Sequence, residues 1–488
     1  MESKSYGEIQ RTADVTKEGD RMSKHLFLDK RVPIEEDNVA ITLIEDKCIK
    51  CGLCKRMCTD FITVQGHYDL EATNDHAICI HCGQCASVCP VDSIVEKKEY
   101  DQVKEAIQDP EKIVVISTAP AVRVALGEEF GLEQGTFVEG KMVSLLRTLG
   151  ADYVLDVNFS ADLTIMEEAS ELIERITSGS QNLPQFTSCC PAWVEFAETF
   201  YPEILPNLST TKSPIGMHGA TIKTYFAKKM GIDPKRIVNV TVTPCTAKKF
   251  EIRREEMNSA GLYQGIDEMR DTDYVITTRE LAEWAKNEEV DFLALEDSAF
   301  DRIMGEASGA GVIFGNTGGV MESALRTAYE FMTKEKAPAS FFELEPVRGM
   351  EEVKEASVTI GDYTLNVAAI YGTGNVRTFL EQLKHSKKQY HFIEVMTCPG
   401  GCIGGGGQPK HRKPKMDGVR QSRVAGIYNR DKELKIRTSY ENEEIRELYK
   451  EFYGQPLSEL SEELLHTHYV DRSADLGKPA EYDENIAG

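Results

Sequence analysis

Eight of the thirteen cysteines in this 488-residue chain fall between Cys48 and Cys89, in two copies of one spacing. The run CIKCGLCKRMC places Cys48, Cys51, Cys54 and Cys58, and CIHCGQCASVCP places Cys79, Cys82, Cys85 and Cys89. Each reads CxxCxxCxxxC. Three thiolates spaced by two residues can wrap one iron-sulfur cube, and the fourth cysteine of such a run usually ligates the neighbouring cube. The spacing therefore assigns Cys48, Cys51, Cys54 and Cys89 to one [4Fe-4S] cluster, and Cys79, Cys82, Cys85 and Cys58 to a second. Zinc sites would take four ligands in two pairs, leaving the third and fourth cysteines of each run without a task. Pro90 follows Cys89, whereas Thr59 follows Cys58; that residue shapes the chain exit and ligates nothing. Two clusters without a catalytic group beside them form an electron conduit, so the chemistry must lie downstream.

The other five cysteines sit in three short segments: TSCCPAW with Cys189 and Cys190, TPCTAKKFE with Cys245, and EVMTCPGGCIGGGGQP with Cys398 and Cys402. Apolar runs precede two of them, VNVTVTPC and HFIEVMTC, which puts these cysteines at strand ends, where α/β bodies place their sites. Cys398 and Cys402, four apart, are expected on one helical face. Four thiolates from three segments would bury a third cube and leave one cysteine spare. That spare thiol, Lys248 three residues beyond Cys245, and a GGGG turn that permits close backbone approach point to something further bound beside the cube. Lys248 would give an anionic group a fixed positive charge.

Positioning these segments takes a large body. From residue 113 strand-like runs alternate with amphipathic ones: KIVVIST before AVRVALGEEF, DYVLDV before TIMEEASELIERI, DYVITT before RELAEWAK, NVAAIYG before VRTFLEQLK. This alternation predicts an α/β body with helix-covered sheets. A polar leader is expected over 1–40, the Cys-dense module over 41–100, and the catalytic body over 101–410, entered by a connecting helix over 100–112. The rest, 411–488, holds the basic stretch KHRKPK, a helix-like ENEEIRELYKEFYG and a polar tail expected to fray from Asp471. A net charge of -24 excludes nucleic acid and anionic membrane surfaces as partners. No stretch approaches the roughly 20 apolar residues of a membrane helix. The start has no apolar run of signal-peptide length, so the cytoplasm is expected. There, abundant cysteine argues for metal or redox chemistry over disulfides.

The two ferredoxin-type runs and the three downstream segments, in this order, resemble the signatures of [FeFe]-hydrogenases, from Cys48 to at least Pro409. The resemblance implies a small bacterial-ferredoxin-like domain followed by a two-lobed α/β catalytic body, α+β overall, with 411–488 resembling a fused small subunit. It implies reversible oxidation and production of H2 at an H-cluster. In that cofactor Cys190, Cys245, Cys398 and Cys402 hold a cubane, and Cys402 bridges it to a diiron unit carrying CO, cyanide and azadithiolate, built elsewhere and inserted by maturation proteins. Lys248 would hydrogen-bond a cyanide, Ala119 and Pro120 would line the pocket, and Met396 would pack near the diiron unit. Cys189 matches the family's proton donor, and Glu168, Glu171 and Ser209 match its relay. Reduced ferredoxin is the implied electron carrier. Without the resemblance, Glu168 and Glu171, three apart in sequence, read as an exposed acidic helix face.

Thr243 stands where a Met usually precedes Pro-Cys, and Ile215 where Gln commonly follows the Pro, here Pro214. Groups at such positions tune potential and access without ligating. The competing reading is a hydrogenase-like non-catalytic iron-sulfur protein, serving cluster assembly or H2 sensing. Assembly relatives lose the diiron pocket, and sensors usually replace the proton-donating cysteine; Cys189, Lys248 and the GGGQP turn are all present. The stretch YGTGNVR, with Gly372 and Gly374, reads as a tight strand-to-helix turn ahead of a dinucleotide site, because no third glycine follows. His76, His81, Trp193 and Trp284 read as packing residues.

Overall fold

In this computed structural model, residues 30–411 and 415–477 are described, and among them ten strands form three sheets. In chain order these are β1 (Ile41–Leu43), β2 (Ile94–Glu96), β3 (Ile113–Thr118), β4 (Tyr153–Asp156) and β5 (Gln185–Phe186). They continue with β6 (Ile237–Thr243), β7 (Tyr274–Thr277), β8 (Val353–Ile360), β9 (Tyr363–Tyr371) and β10 (Phe392–Met396). The short antiparallel pair β1-β2 brackets both cysteine runs. One lobe of the body is built on a parallel sheet, β4-β3-β6-β7, and the other on β5-β10-β9-β8, in which only β8 runs antiparallel.

The strand sequences follow from these positions. All seven residues of IVNVTVT in β6 are buried, as in a central parallel strand covered on both faces. In β8, VKEASVTI alternates exposed and buried along its length, the signature of an edge strand with one wet face.

The long helix Val157–Ser178 follows β4 directly; Asp156 caps it by accepting from Asn158 N at 2.7 Å, and Gly179 ends it with φ 68°. A capping box between Thr277 and Glu280 opens the helix Thr278–Asn287 after β7. The connecting helix Tyr100–Gln108 and the helix Thr373–His385 also lie where the periodicity predicts them.

Two expectations change. AVRVALGEEF forms no helix, only the 3-10 turns Pro120–Val122 and Leu126–Phe130. The chain from Val114 to Gly127 is buried throughout, which leaves an amphipathic helix no wet face, and the buried Arg123 is pinned to Asp156 and Glu139. The tail beyond Asp471 is packed as far as Gly477. Arg472 N donates to Glu198 O at 2.8 Å, and Gly477 lies so close to the Ala72 carbonyl that a Cβ would stand 1.8 Å from it. Residues 30–40 likewise pack on the cysteine module through buried Val32 and Asn38. Most of the leader (1–29), part of KHRKPK (412–414) and the last residues (478–488) lie outside the described residues. Trp193 and Trp284 are core, and Gly372, at φ 83°, makes a tight turn against Phe61.

Candidate active site

Each cysteine run folds the same way. A residue at φ 55°, Lys50 or His81, and a left-handed glycine, Gly52 or Gly83, turn the chain into a short helix, Leu53–Arg56 or Gln84–Ser87. Cys48, Cys51, Cys54 and Cys89 surround one cavity. Burial, and then the neighbouring Cys79, Cys58 and Cys54, push the Cys85 thiol well above its ordinary value. Burial pushes Cys82 up likewise, reinforced by Cys85, Cys58 and Cys79. The fourth cysteine of each run thus stands with the first three of the other. Among the described residues no three His, Cys, Asp or Glu side chains close on a single point as one ion requires. Thiols ringing a cavity are instead the donor set that takes a cube.

The five remaining cysteines meet at the carboxyl ends of strands from both sheets. Cys189 and Cys190 follow β5, Cys245 follows β6, and Cys398 follows β10. Burial first, and then Cys245 and Cys190, raise the thiols of both Cys398 and Cys402, which places the four side chains in one group. Cys398 and Cys402 do not share a helix face. Gly400 and Gly401, at φ 75° and 97°, turn the chain between them, and Cys402 only opens the 3-10 turn Cys402–Gly404. The loop is held from outside: Thr317 N donates to Gly400 O at 3.1 Å and Ile403 N to Gly315 O at 3.0 Å.

Beside this group lies an apolar cavity. Ala119, Pro120, Ile215, Thr243 and Met396 line it together with Cys189, Lys248 and Cys402. A buried cation and two thiols in apolar walls fit a compact anionic metal group. Lys248 Nζ donates to Glu251 Oε2 at 2.8 Å and to Cys189 O at 3.1 Å, which fixes its charge at the cavity edge. Thr243 spends its hydroxyl locally, donating to Cys245 O at 3.0 Å.

A line of polar groups leaves the cavity through the long helix Val157–Ser178. Burial, then Glu168 and Cys402, push the Cys189 thiol well above its usual value, so it is protonated. Burial and the adjacent Glu171 do the same to Glu168. Neither Glu168 oxygen has a hydrogen-bond partner, which suits a neutral carboxyl. Ser209 Oγ donates to Glu171 Oε2 at 2.6 Å, and Arg175 Nη2 donates to Glu171 Oε1 at the same distance. Glu171 then borders an open surface cavity. Both glutamates are buried, so the exposed-face reading does not hold.

Several residues escaped the sequence reading. Ala121, Val157, Ala161 and Phe314 complete the cavity wall, and Glu251 orients Lys248. Glu251 could have been found from its place three residues beyond Lys248. The glycines of IFGNTGG could have flagged the loop around Phe314. The GGGG run makes the close approach expected of it: a Cβ at Gly404, Gly405 or Gly406 would stand 2.1–2.3 Å from the carbonyls of Pro399, Pro244 and Cys82. Gly406 therefore seats the second cysteine run against the body. Gln84 Nε2 donates to Gly404 O at 2.9 Å, and Thr246 Oγ1 to His81 O at 2.7 Å, across the same seam. His81 packs there too, stacked on Phe250 and bonded through Nδ1 to Glu195 at 2.8 Å.

Comparison with known proteins agrees with this geometry. Residues 112–406 match the family model of the iron only hydrogenase large subunit, C-terminal domain. Residues 417–472 match that of the iron hydrogenase small subunit, and 45–104 a 4Fe-4S dicluster domain. The NADP-reducing hydrogenase subunit HndD of Solidesulfovibrio fructosivorans is 46% identical over 88% of this chain and 74% of its own. Iron hydrogenase 1 of Clostridium pasteurianum is 44% identical over 90% of this chain and 78% of its own. The solved apo [FeFe]-hydrogenase from Chlamydomonas reinhardtii superposes with a TM-score of 0.67 at 38% identity, covering 76% of this chain and 99% of that one. No helix among the described residues is long and apolar enough to cross a membrane. The chain belongs to the [FeFe]-hydrogenases, enzymes that oxidise and produce molecular hydrogen.

Proposed function

We propose that the chain carries out this reaction at an H-cluster whose cubane is held by Cys190, Cys245, Cys398 and Cys402. Cys402 would also hold the diiron unit, with its CO, cyanide and azadithiolate ligands. The observation that carries this reading is the apolar cavity where Cys189, Lys248 and Cys402 converge. When bound, the diiron unit supplies the centre at which protons and electrons combine or H2 is split. The chain's own residues do the rest. Lys248, held by Glu251 and the Cys189 carbonyl, would have its remaining N–H available to a cyanide. Ala119, Pro120 and Met396 wall the site from water. The Cys189 thiol holds the proton nearest the reacting centre, and Glu168, Ser209 and Glu171 carry protons between it and the outer cavity.

Electrons pass through two accessory [4Fe-4S] clusters. Cys48, Cys51, Cys54 and Cys89 hold the outer one; Cys79, Cys82, Cys85 and Cys58 hold the inner one. The module over 41–100 docks a ferredoxin or similar small carrier, the body over 101–410 holds the H-cluster, and 411–488 is a fused small subunit. Maturation proteins insert the diiron unit, and the cytoplasm is the compartment. A non-catalytic role in cluster assembly or sensing needs neither the thiol of Cys189 nor the closed cavity.

The test is hydrogen production from reduced viologen by protein purified without oxygen, reconstituted with its clusters and loaded with the diiron unit. Wild type should make H2, and Cys189→Ala should lose about 10³-fold, within the range of a positioned proton-transfer group. A wild type that makes none, with spectroscopically intact cubanes, would turn the reading to assembly or sensing. Equal rates in both proteins would remove Cys189 from the relay.

A further inference from the structure

The proton line does not stop at Glu171. Thr210 Oγ1 lies 3.3 Å from Glu171 Oε1 and 2.7 Å from His466 Nδ1. His466 belongs to the C-terminal segment, 295 residues beyond Glu171 in sequence. It arrives there because that segment straps across the relay. Lys212 N donates to Leu465 O at 2.8 Å, Thr467 N donates to Thr210 O at 2.7 Å, and Thr211 and His466 form an antiparallel bridge. The imidazole closes a helix end, is 9% exposed, and lines the same open cavity as Glu171, Glu462 and Thr467. Its second nitrogen, Nε2, faces Glu167 Oε2 at 3.2 Å.

We propose that His466 is the solvent-side proton port of this relay, a role that rests on the relay reading given above. Glu167 is fully buried and also accepts from Tyr449 OH at 2.5 Å and Leu457 N at 2.8 Å, so it fixes the ring with Nε2–H directed at its carboxylate. That leaves Nδ1 as the exchanging nitrogen. In the imidazolium, Nδ1–H donates to Thr210 Oγ1. As that proton crosses, the Thr210 hydroxyl releases its own proton to Glu171. One N–H bond breaks, one O–H bond forms on Glu171, and the neutral Nε2–H tautomer remains. The hydroxyl rotates back, and the ring pivots on its Nε2–H bond to Glu167, so that Nδ1 leaves Thr210 and takes a new proton from the water of the cavity. Hydrogen oxidation runs the same steps outward. The charged groups around the ring are Glu167, Glu171, Glu174 and Arg175 from the long helix, and Glu462 from its own helix.

The test compares His466→Ala, Thr210→Val and, as a control on the relay itself, Glu171→Gln. His466→Ala should lower the hydrogen-production rate about tenfold, more at high pH than at low, and added imidazole should restore most of it. Thr210→Val should give a similar loss without imidazole rescue, since the ring is still present and the hydroxyl is not. A readout that needs no diiron unit is the His466 tautomer followed by 15N NMR; the neutral ring should carry its proton on Nε2, facing Glu167. An unchanged rate and pH profile in His466→Ala beside an inactive Glu171→Gln would overturn the port and leave the relay standing. Full activity in Glu171→Gln would overturn the relay itself. Loss in His466→Ala without rescue, together with a neutral ring protonated on Nδ1, would make the histidine a packing residue.

Discussion

The two cysteine runs share a backbone and differ in everything around it. Between Lys47 and Arg56 the first run carries Lys47, Lys50, Lys55 and Arg56 with no acidic residue, in a chain whose net charge is -24. Cys51 is exposed and Ile49 is 61% exposed. Among the described residues, a Cβ at its left-handed Gly52 would meet only Lys30 O, at 3.8 Å. The second run, from Cys79 to Cys89, has no Lys, Arg, Asp or Glu, and buries Cys82, Gln84, Cys85 and Ala86. A Cβ at Gly83 would stand 2.3 Å from Thr246 Oγ1 and 3.2 Å from Gly406 Cα. One copy of the motif faces solvent and the other is fitted to the body. An internal repeat thereby acquires a direction.

The same substitution at both glycines should separate the two runs most strongly. Asparagine tolerates the left-handed conformation, so Gly52→Asn should stay within about twofold of wild type. Gly83→Asn should overpack the seam at a cost of about 1–3 kcal/mol. Rapid-freeze spectroscopy should then show slowed reduction of the buried cubane, with the outer cluster reduced normally. Equal behaviour of the two variants would erase the distinction.

A smaller effect is expected at the outer surface. Lys47→Glu with Lys50→Glu should slow hydrogen production from an acidic carrier about fivefold at low ionic strength, since complementary charge acts mainly on encounter. The deficit should vanish at high salt, where the Debye length is about 3 Å. A loss indifferent to salt would point to damaged cluster binding instead.

The third contrast is in acid. His67 and His76 of the module are exposed, whereas His218 in the body is fully buried between Ser117 and Ser160, and burial lowers its pKa to about 3. In the window from 6.5 down to 3 the unfolded chain binds a proton that the native one does not. The contribution is therefore fully present above pH 6.5 and is lost as pH falls toward 3, up to roughly 5 kcal/mol. The apparent Tm of the body should drop more steeply between pH 7 and pH 5 in wild type than in His218→Asn; parallel slopes would assign acid sensitivity elsewhere.

Much of this was legible because thiol spacing is local. CxxCxxCxxxC specifies a wrap whatever surrounds it, and β6 and β10 announce themselves by apolar runs ending at Cys245 and Cys398. The turn between Cys398 and Cys402 was not legible, because two consecutive positive-φ glycines override the four-residue helical spacing. Nor was AVRVALGEEF, whose apolar periodicity is that of a segment buried all round. His466 gives no signal in its own neighbourhood: its meaning lies in contacts with Glu167 and Thr210, which only the folded chain supplies.

The strap that carries His466 has a consequence for assembly. It contains no cysteine, yet it forms a wall of the cavity that Glu171 borders, held there through Leu465 and Thr467. As a separate polypeptide it would occupy that wall only as its binding equilibrium and concentration allowed. Joined to the body, it faces its groove at an effective concentration of order millimolar, so the wall stays closed however dilute the protein becomes.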